Sequence, residues 1–306
     1  MIPFLHFGPV EVPTFGLMVA CAMLIAFYVL RADMARRNLA PKDSTTAEMF
    51  VAVPSLVGIV GAKLYHVLET PRELFADPAG QLFSRYGLAW FGGLIAGLAA
   101  FVWLAKWKKI PLLEMFDAGS AAAALGYGIG RIGCLLSGDG DYGVPTSLPW
   151  SMSFPNGLVP TTERVHPTPI YELIAACAIA WALWRLGHLQ ILRGPFERGV
   201  PGAKAAGYAI RVPISDRVFH RASPDGVTTL LRWLRPGSVF AAYLLLTGSA
   251  RFLVEFIRIN PRTFFGMSNA QGASLLSMIA GAILWRAIGT GKIAADGAPL
   301  AEERTR

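Results

Sequence analysis

The chain has 306 residues, of which 54% are hydrophobic and only 16% are charged, and its mean hydropathy is +0.46. Soluble domains carry about 25% charged residues, so this composition favours an integral membrane protein. The net charge of +8 is carried largely between apolar segments, which indicates membrane topology and lipid contact and argues against a nucleic-acid partner.

The three cysteines, Cys21, Cys134 and Cys177, lie in or at the ends of apolar helical runs. Their spacing matches no metal site, and a disulfide framework is not expected. The first apolar run has no basic residues before it and continues to spanning length, so a cleavable signal peptide is not predicted either.

Apolar segments of spanning length recur along the chain and predict an all-α integral membrane protein, a bundle of about seven transmembrane helices. Basic clusters follow the first and third segments. Because Lys and Arg are enriched on the cytoplasmic side, we expect the amino terminus outside and the carboxyl terminus in the cytoplasm. The predicted spans are residues 15–30, 47–68, 88–104, 112–136, 166–186, 238–259 and 270–288.

The connecting segments differ in character. Residues 69–86 are amphipathic and are expected to lie in the outer interface. Residues 137–167 are rich in Gly, Pro and Thr and predict a small periplasmic head above the bundle. Residues 188–235 are polar and basic, which predicts a cytoplasmic insertion that lies on anionic lipid. The resulting division is helices 1–5 (1–187), the insertion, helices 6–7 (236–289) and a disordered cytoplasmic tail (290–306).

Two arginines, Arg131 and Arg251, stand inside or at the outer ends of apolar helices. A guanidinium at membrane depth costs about 2.5–3.5 kcal/mol on insertion scales, so a functional gain is expected. Two guanidiniums that converge from separate helices form a clamp for phosphate or phosphodiester oxygens. The alternative is structural, with Arg251 paired to Glu255 four residues along its helix. Arg131 would then pair with Asp139 or Asp141.

Further polar residues stand close to these arginines in the sequence. Asp139 and Asp141 form an acid pair in a Gly-rich loop, although Asp-Gly is also a common turn dipeptide. His166 precedes a helix and is either a general base near neutral pH or a capping or packing residue. Tyr171 and Glu172 fall in the first turn of that helix, where an acid suits the helix dipole.

Several well-known catalytic motifs are missing from the sequence. It has no Gly-x-Ser-x-Gly elbow, no His-Glu-x-x-His, no phosphate-binding P-loop and no Cys-x-x-Cys. Serine hydrolysis, zinc proteolysis and ATP use are therefore unsupported, and we expect neither a metal nor a cofactor.

The segment around Arg131 resembles the signature of prolipoprotein diacylglyceryl transferases, and collinear motifs on the other spans agree with it. The resemblance covers nearly the whole chain except residues 188–235 and the tail. The motifs are Gly130-Arg131-Ile132-Gly133, Ser137-Gly138-Asp139, Tyr142-Gly143-Val144-Pro145-Thr146, Phe15-Gly16-Leu17-Met18, Gly92-Gly93-Leu94-Ile95, His166-Pro167-Thr168 with Tyr171-Glu172, residues 251–258 and Asn269-Ala270-Gln271-Gly272.

The resemblance implies an enzyme of the bacterial inner membrane that moves the diacylglyceryl group of phosphatidylglycerol onto the lipobox cysteine thiol of a preprolipoprotein. Arg131 and Arg251 would hold the phosphodiester and stabilise the charge of the leaving phosphate. The expected partners are phosphatidylglycerol, the signal-peptide and lipobox region of the preprolipoprotein, and membrane lipids. The residues assigned to catalysis are Arg131, Arg251, Asp139, Asp141, His166 and Glu255. Those assigned to substrate binding are Gly92, Gly93, Gly133, Gly138, Gly143, Tyr171, Glu172 and Gln271.

The chain departs from the family pattern at several polar positions. Phe91 stands where the family has a histidine before Gly-Gly-Leu, and Cys134 stands where it has an asparagine. Phe15 and Thr247 replace tyrosines, and an aspartate with an extra residue nearby replaces a loop glutamate. The phosphate clamp is kept while several hydroxyl, amide and imidazole groups are not.

A base must help to form the incoming thiolate, because the ordinary thiol pKa is about 8.5. If the family histidine is that base, then either His166, Asp141 or Glu255 takes its place, or the chemistry is slow or different. Two alternatives to the transferase follow. One is a divergent paralogue with another acceptor, and the other is a non-catalytic phospholipid-binding or lipid-translocating membrane protein.

Overall fold

The computed structural model describes residues 1–39, 45–84, 87, 89–197, 233–262 and 266–290, and these residues are mostly helical. Most of the predicted basic insertion, residues 198–232, lies outside the described residues. The predicted tail beyond residue 290 lies outside them as well. The division of the chain into domains therefore stays a prediction.

Two short antiparallel hairpins accompany the helices of the bundle. The elements follow in the order β1 (Phe4–Phe7), β2 (Val10–Pro13), α1 (Thr14–Arg36), α2 (Thr46–Glu69), α3 (Pro71–Ala76), α4 (Pro78–Phe83), α5 (Trp90–Trp107), α6 (Leu112–Ser137), β3 (Met152–Phe154), β4 (Thr161–Val165), α7 (Thr168–Glu197), α8 (Ser238–Val254) and α9 (Asn269–Gly289).

The predicted all-α membrane architecture is confirmed. Among the described residues, 5 helices are long and apolar enough to cross a membrane, namely α1, α2, α5, the Thr168–Ile191 part of α7, and α9. α8 is apolar but has only 17 residues, and α6 has 26 residues but buries polar groups such as Asp117 and Ser120 along its length. The count of seven crossings thus stays a prediction.

The ends of two predicted spans and the content of one predicted loop differ from the structure. The sixth span was expected to reach residue 259, but α8 ends at Val254 because the chain then turns and Arg258 forms a β-bridge with Gly143. α7 continues past residue 186 to Glu197, since Gln190 in its last turns is buried in a hydrogen-bonded network. Residues 69–86 contain two short helices, α3 and α4.

Close helix contacts are made through small residues. α6 packs against α1 and α7, and α2 packs against α5. Gly61 on α2 faces Gly92 on α5 so closely that a Cβ on Gly61 would lie 2.7 Å from the Gly92 carbonyl oxygen. Gly128 on α6 faces Ala176 on α7 in the same way. Small residues of this kind allow the close backbone approach typical of helices in membranes.

A buried carboxylate fixes the start of α8. Asp117 on α6 is fully buried and accepts hydrogen bonds of 2.7 Å from the backbone N–H groups of Gly237 and Phe240. Gln190 on α7 donates to the same side chain at 2.7 Å and to Ser238 at 3.2 Å. Because a carboxylate at a helix N-terminus satisfies otherwise free N–H groups, Asp117 locks α8 against α6 and α7.

The polar segment 137–167 folds around the antiparallel β3–β4 hairpin. Tyr142, Phe154 and Val165 are buried together, and the Tyr142 and Phe154 rings stack at 5.1 Å. The Gly143 N–H donates to the His166 carbonyl within the segment, and the Val144 N–H donates to the Ile257 carbonyl, which joins the segment to the residues after α8. The segment is therefore built against the ends of α6, α7 and α8, and its periplasmic side stays a prediction.

Candidate active site

The loop after α6 is shaped by two glycines. Gly138 ends α6 at φ 58° and Gly140 follows at φ 91°, a region that residues with a Cβ rarely adopt. A Cβ on Gly138 would also lie 2.7 Å from the Gly157 Cα atom. This turn presents Asp139 and Asp141 beside the last turns of α6, where Arg131 lies.

Three arginines and three carboxylates converge at this end of the bundle, and we call them the arginine cluster. They come from α6, the loop after it, α7, α8 and the turn that follows α8. Three of them, Arg258, Glu172 and Glu255, are buried, and the other three are half-buried. The members are Arg131, Arg251, Arg258, Asp141, Glu172 and Glu255.

Asp141 joins two of the arginines. One carboxylate oxygen accepts from Arg131 and the other from Arg258, so each oxygen holds one guanidinium. Its backbone carbonyl accepts from the Thr168 hydroxyl at the start of α7. The sequence left open whether Asp139 or Asp141 pairs with Arg131, and the structure selects Asp141.

Glu172 on α7 faces all three arginines at longer range. Its Oε2 lies 3.6 Å from Arg131 Nε and 3.4 Å from Arg258 Nη1. Its Oε1 lies 3.6 Å from Arg251 Nη1. The short contact of Glu172 is to a neutral group, because the Tyr127 hydroxyl donates to Oε1 at 2.6 Å.

Glu255 contacts two of the arginines, Arg251 and Arg258. Its Oε2 lies 2.7 Å from Arg251 Nη1 and 3.7 Å from Arg258 Nε. Its Oε1 accepts from Asn260 Nδ2 and from the Ser268 hydroxyl, each at 2.7 Å. The predicted alternative, an ion pair between Arg251 and Glu255, is therefore present.

Some ion pairs of the cluster are poorly directed. Among the described residues, Arg251 Nη1, Arg258 Nε and Glu255 Oε2 are buried and lack a hydrogen bond of good geometry, and the two nitrogens lie 2.7 and 3.7 Å from that oxygen. The three guanidiniums nevertheless concentrate positive charge at one place, which favours an anionic ligand. An anionic oxygen, such as that of a phosphate, supplies the acceptor that guanidinium groups prefer.

The pKa values of the two loop acids are shifted in opposite directions. Burial would raise the pKa of Asp141, but the guanidiniums of Arg258 and Arg131 outweigh it and lower that pKa below its usual range. Burial, together with the negative charge of Asp141, raises the pKa of Asp139. No ion pair within 4 Å joins Asp139 to an arginine in the described part of the chain. Asp141 is thus an ionised anchor, while Asp139 is the more basic group.

His166 belongs to a short hydrogen-bonded chain at the start of α7. The Trp150 indole Nε1 donates to the Tyr171 hydroxyl at 2.7 Å, and that hydroxyl lies 3.2 Å from His166 Nδ1. Because an indole N–H can only donate, the Tyr171 oxygen accepts from Trp150. The direction of its bond with His166 Nδ1 is set by the tautomer of the imidazole.

Three potential metal ligands, Cys134, Asp139 and Asp141, have donor atoms within 4.8 Å of one another. Both oxygens of Asp141 are already engaged by Arg131 and Arg258, and Arg131 Nη1 lies 3.6 Å from Cys134 Sγ. A divalent cation at this point would face two guanidiniums, so the donor set does not suit a metal.

The glycines assigned to substrate binding fall into two groups. The nearest neighbours of Gly92 and Gly93 belong to α2, and those of Gly133 belong to Phe15 and Met18 on α1, so these three lie at helix contacts. Gly138 shapes the loop after α6. Gly143 joins the site directly, since a Cβ there would lie 2.5 Å from the Ile257 carbonyl oxygen and 3.0 Å from the His166 Cβ.

Gln271 reaches the arginine cluster through the cap of α9. Its Oε1 accepts from the Ser268 backbone N–H at 3.1 Å, and its own backbone N–H donates to the Ser268 hydroxyl at 3.2 Å. That hydroxyl is the one that donates to Glu255. Gln271 therefore holds Ser268 in place, and among the described residues it makes no hydrogen bond to the arginines.

Sequence reasoning assigned no role to Arg258 or Tyr127. Arg258 lies seven residues after Arg251 and three after Glu255, a spacing that would place all three on one helix face. Tyr127 lies one turn before Arg131, and the Arg131 guanidinium carbon is 4.6 Å from the centre of its ring. Both could have been found by extending the helix-face argument from the two recognised arginines.

The expected family histidine is absent from α5. Phe91 takes its place, is about half exposed, and packs edge-on against the neighbouring Trp90 ring at 5.1 Å. An aromatic hydrocarbon ring neither accepts nor donates a proton, so any proton acceptor of the site must come from another element.

Comparison with known proteins places this arrangement in a known group. A family model described as prolipoprotein diacylglyceryl transferase matches residues 3–211 and 226–287. Curated relatives carry the name phosphatidylglycerol--prolipoprotein diacylglyceryl transferase. The relative from Geobacter sulfurreducens is 28% identical over 258 residues, which cover 83% of this chain and 81% of the relative.

Two further relatives are similar over most of their length. The one from Gloeobacter violaceus is 27% identical over 289 residues, covering 91% of this chain and 92% of the relative. The one from Leptospira interrogans serogroup Icterohaemorrhagiae serovar copenhageni is 26% identical over 276 residues, covering 82% of this chain and 73% of the relative.

Proposed function

The chain belongs to the prolipoprotein diacylglyceryl transferase family, and we propose that the arginine cluster is where it carries out the transfer. The family membership and the names of the relatives support transfer of the diacylglyceryl group from phosphatidylglycerol to prolipoprotein in lipoprotein biogenesis. The acceptor atom, which we propose is the lipobox cysteine thiol, and the roles of individual residues go beyond these findings.

The observation that carries the proposal is the convergence of three arginines, from α6, α8 and the turn after α8, at one end of the bundle. This concentration of positive charge favours an anionic ligand. Arg131, Arg251 and Arg258 supply a guanidinium each, and planar guanidinium groups match phosphate oxygens in pairs. We assign the phosphodiester of phosphatidylglycerol to this position.

The proposed reaction is a displacement at carbon. The thiolate sulfur of the acceptor cysteine attacks the diacylglyceryl carbon that is bonded to the phosphate oxygen. A carbon–sulfur bond forms, the carbon–oxygen bond breaks, and the electron pair leaves with glycerol phosphate. The arginines stabilise the second negative charge that develops on this leaving group, an electrostatic role that requires no metal.

We assign the proton acceptor to Asp139. Both oxygens of Asp141 hold arginines, and both oxygens of Glu255 face Arg251, Asn260 or Ser268, so neither carboxylate is available to the thiol. Asp139 has no arginine within ion-pair distance among the described residues, and its raised pKa makes it the stronger base.

His166 is assigned to binding. Its Nδ1 is hydrogen-bonded to the Tyr171 hydroxyl, which leaves Nε2 for a ligand. A fixed imidazole nitrogen beside Gly143, which is bridged to Arg258, suits a hydroxyl or phosphate oxygen of the lipid headgroup. Glu172, which faces all three arginines, sets their positions.

The membrane placement follows the same proposal. We place the chain in the bacterial inner membrane with its amino terminus outside and its carboxyl terminus in the cytoplasm. The arginine cluster would then lie at the outer leaflet, under the head formed by residues 137–167, where an exported prolipoprotein arrives. Basic residues at the end of α1 and after α5 support this orientation.

Complementation tests the proposal in cells. The full chain is expressed in bacteria depleted of their own transferase, and lipid-modified lipoprotein is followed by gel mobility and mass spectrometry. Wild-type chain is expected to restore modification, and Arg131→Ala and Arg251→Ala are each expected to abolish it. Arg72→Ala is the matched control, since Arg72 is exposed on α3, a short helix that packs against α2 and α4.

The outcomes separate the alternatives. Absence of modification by correctly inserted wild-type chain would remove the proposed transferase activity. Lipid binding without modification under the same conditions would favour a non-catalytic phospholipid-binding protein. Modification that survives both arginine substitutions would show that the phosphate is held elsewhere.

A further inference from the structure

Tyr127 occupies a position that neither the family comparison nor the predicted site assigns. Its ring lies against the Arg131 guanidinium, 4.6 Å from ring centre to guanidinium carbon. Its hydroxyl donates to Glu172 Oε1 at 2.6 Å. One side chain therefore touches both a guanidinium and the carboxylate that faces all three arginines.

We propose that Tyr127 is a positioning residue that keeps the arginines open to the lipid phosphate by holding the Glu172 carboxylate away from them. The inference rests on the proposed function of the arginine cluster. It concerns the affinity of the site for the phosphate and not the bond-breaking step.

The distances around Glu172 carry the inference. Its hydrogen bond to the neutral phenol is short, whereas its three contacts with guanidinium nitrogens range from 3.4 to 3.6 Å. A carboxylate this close to guanidiniums would ordinarily close to hydrogen-bond distance with one of them. Glu172 Oε2 accepts one long hydrogen bond, from Arg258 Nη1 at 3.4 Å. Because the Tyr127 hydroxyl satisfies Oε1, Glu172 compensates the positive charge of Arg131 and Arg251 without accepting a hydrogen bond from either.

The ring of Tyr127 has a separate effect on Arg131. A guanidinium over an aromatic face is attracted by the ring quadrupole, and the contact also restricts the rotamers of the arginine. Arg131 is thereby held by two contacts, the ring of Tyr127 against its guanidinium and the ion pair with Asp141. The ring and the hydroxyl can be tested apart, because phenylalanine keeps the former and removes only the latter.

Loss of the hydroxyl has a defined consequence. In Tyr127→Phe, Glu172 Oε1 loses its only short donor, and the nearest replacement is Arg251 Nη1 at 3.6 Å. We expect Glu172 to close on the arginines and to compete with the phosphate. The KM for phosphatidylglycerol should rise about tenfold, the scale expected for one hydrogen bond to a charged group. The kcat should change less than about threefold, because no group that reacts is removed.

The test uses the purified full chain in nanodiscs, with transfer to a lipobox peptide measured at varied phosphatidylglycerol. Tyr127→Phe is compared with wild type and with Tyr28→Phe, the matched control, since Tyr28 is 58% exposed on α1. Binding of a fluorescent phosphatidylglycerol analogue is measured on the same samples and needs no transfer. The raised KM and a similarly weakened binding in Tyr127→Phe, with the control unchanged, support the proposal.

Three results would overturn it. They are a fall in kcat at unchanged KM, no change in either constant, or equal effects of the two phenylalanine variants. Failure of wild-type chain to transfer would instead remove the proposed function, and the binding comparison would still decide whether Tyr127 sets phosphate affinity. A combined Tyr127→Phe and Glu172→Gln variant should bind the analogue no more weakly than Glu172→Gln alone, because the competing charge is gone.

Discussion

Arg251 Nη1 lies 2.7 Å from Glu255 Oε2, one helical turn along the chain, yet this nitrogen has no well-directed hydrogen bond among the described residues. The contact is close but poorly directed, and the carboxylate compensates the charge of the guanidinium. Both ion pairs of Arg251, with Glu172 and with Glu255, use Nη1, so among the described residues its Nε and Nη2 make no ion pair and can serve another acceptor. The ion-pair interpretation and the phosphate-clamp interpretation of the sequence are therefore compatible.

Glu255→Gln is expected to destabilise the protein. The change removes the negative charge beside Arg251 and Arg258, and breaking a buried ion pair by removing one partner typically costs about 3–5 kcal/mol. Because the Arg251 side chain is partly exposed, the lower end of this range is expected. Thermal unfolding in detergent measures the effect. Glu163→Gln on the exposed part of β4 is the control, and an equal melting temperature for the two variants would contradict the account.

Asp139→Asn should change the pH dependence of transfer. A proton acceptor works only when it is deprotonated, so the rate falls as pH decreases through its pKa. Because the pKa of Asp139 is raised, this acid limb should lie above the ordinary aspartate value of 3.8. Asp139→Asn should remove the limb and lower kcat/KM by about 10²–10⁴-fold, the range for a general base.

Asp141→Asn provides the contrast to this variant. Folding lowers the pKa of Asp141, so its ion pairs contribute their full stability at pH values above the ordinary aspartate pKa of 3.8. This contribution is lost as the pH falls through the lower pKa of the folded protein. Asp141→Asn should therefore reduce thermal stability at neutral pH. It should also move the acid limb to lower pH without removing it, because the negative charge of Asp141 helps to raise the pKa of Asp139. A limb that disappears with Asp141→Asn and stays with Asp139→Asn would reverse the two assignments.

Phe91→His tests whether the site is missing a base. If Asp139 already accepts the proton, restoring the family histidine should change kcat/KM by less than about threefold, a small effect compared with that of a true general base. Leu94→His, at an exposed position one turn along α5, is the control for a polar residue on this helix. A rise of an order of magnitude in Phe91→His alone would show that the acceptor had been lost with the histidine.

Gly138→Ala is expected to destabilise the loop after α6. Alanine at φ 58° costs about 1–2 kcal/mol, and its Cβ would lie 2.7 Å from the Gly157 Cα. Gly272→Ala is the matched control, since Gly272 lies in α9 and a Cβ there meets nothing within 4 Å. Thermal unfolding should show a lower melting temperature for Gly138→Ala only. Equal melting temperatures would mean that the loop relaxes without strain.

The main features of the fold were predictable from composition. Long apolar segments with basic residues at alternate ends specify membrane helices, and α1, α2, α5, α7 and α9 fulfil that prediction. The ends of α7 and α8 were not predictable, because they depend on contacts distant in sequence. α8 stops where Arg258 pairs with Gly143, and α7 continues because Gln190 bonds to Asp117.

The site residues were predictable where a charged side chain lies in an apolar helix, because burying that charge costs free energy. Arg131 and Arg251 attract attention because a charge in an apolar helix requires compensation. The glycines were harder to interpret, since a small residue signals a helix contact and a ligand pocket equally. Gly92 lies against α2, whereas Gly143 lies beside His166, and only the three-dimensional structure distinguishes the two.

The most direct test of the central claim is transfer in a defined system. Purified chain, phosphatidylglycerol and a synthetic lipobox peptide are combined, and the thioether-linked diacylglyceryl group on the peptide cysteine is detected by mass spectrometry. Wild-type chain and Arg72→Ala should modify the peptide, and Arg131→Ala, Arg251→Ala and Arg258→Ala should not. Peptide modification that persists in all three arginine variants, or none with wild-type chain, would contradict the assignment of catalysis to the arginine cluster.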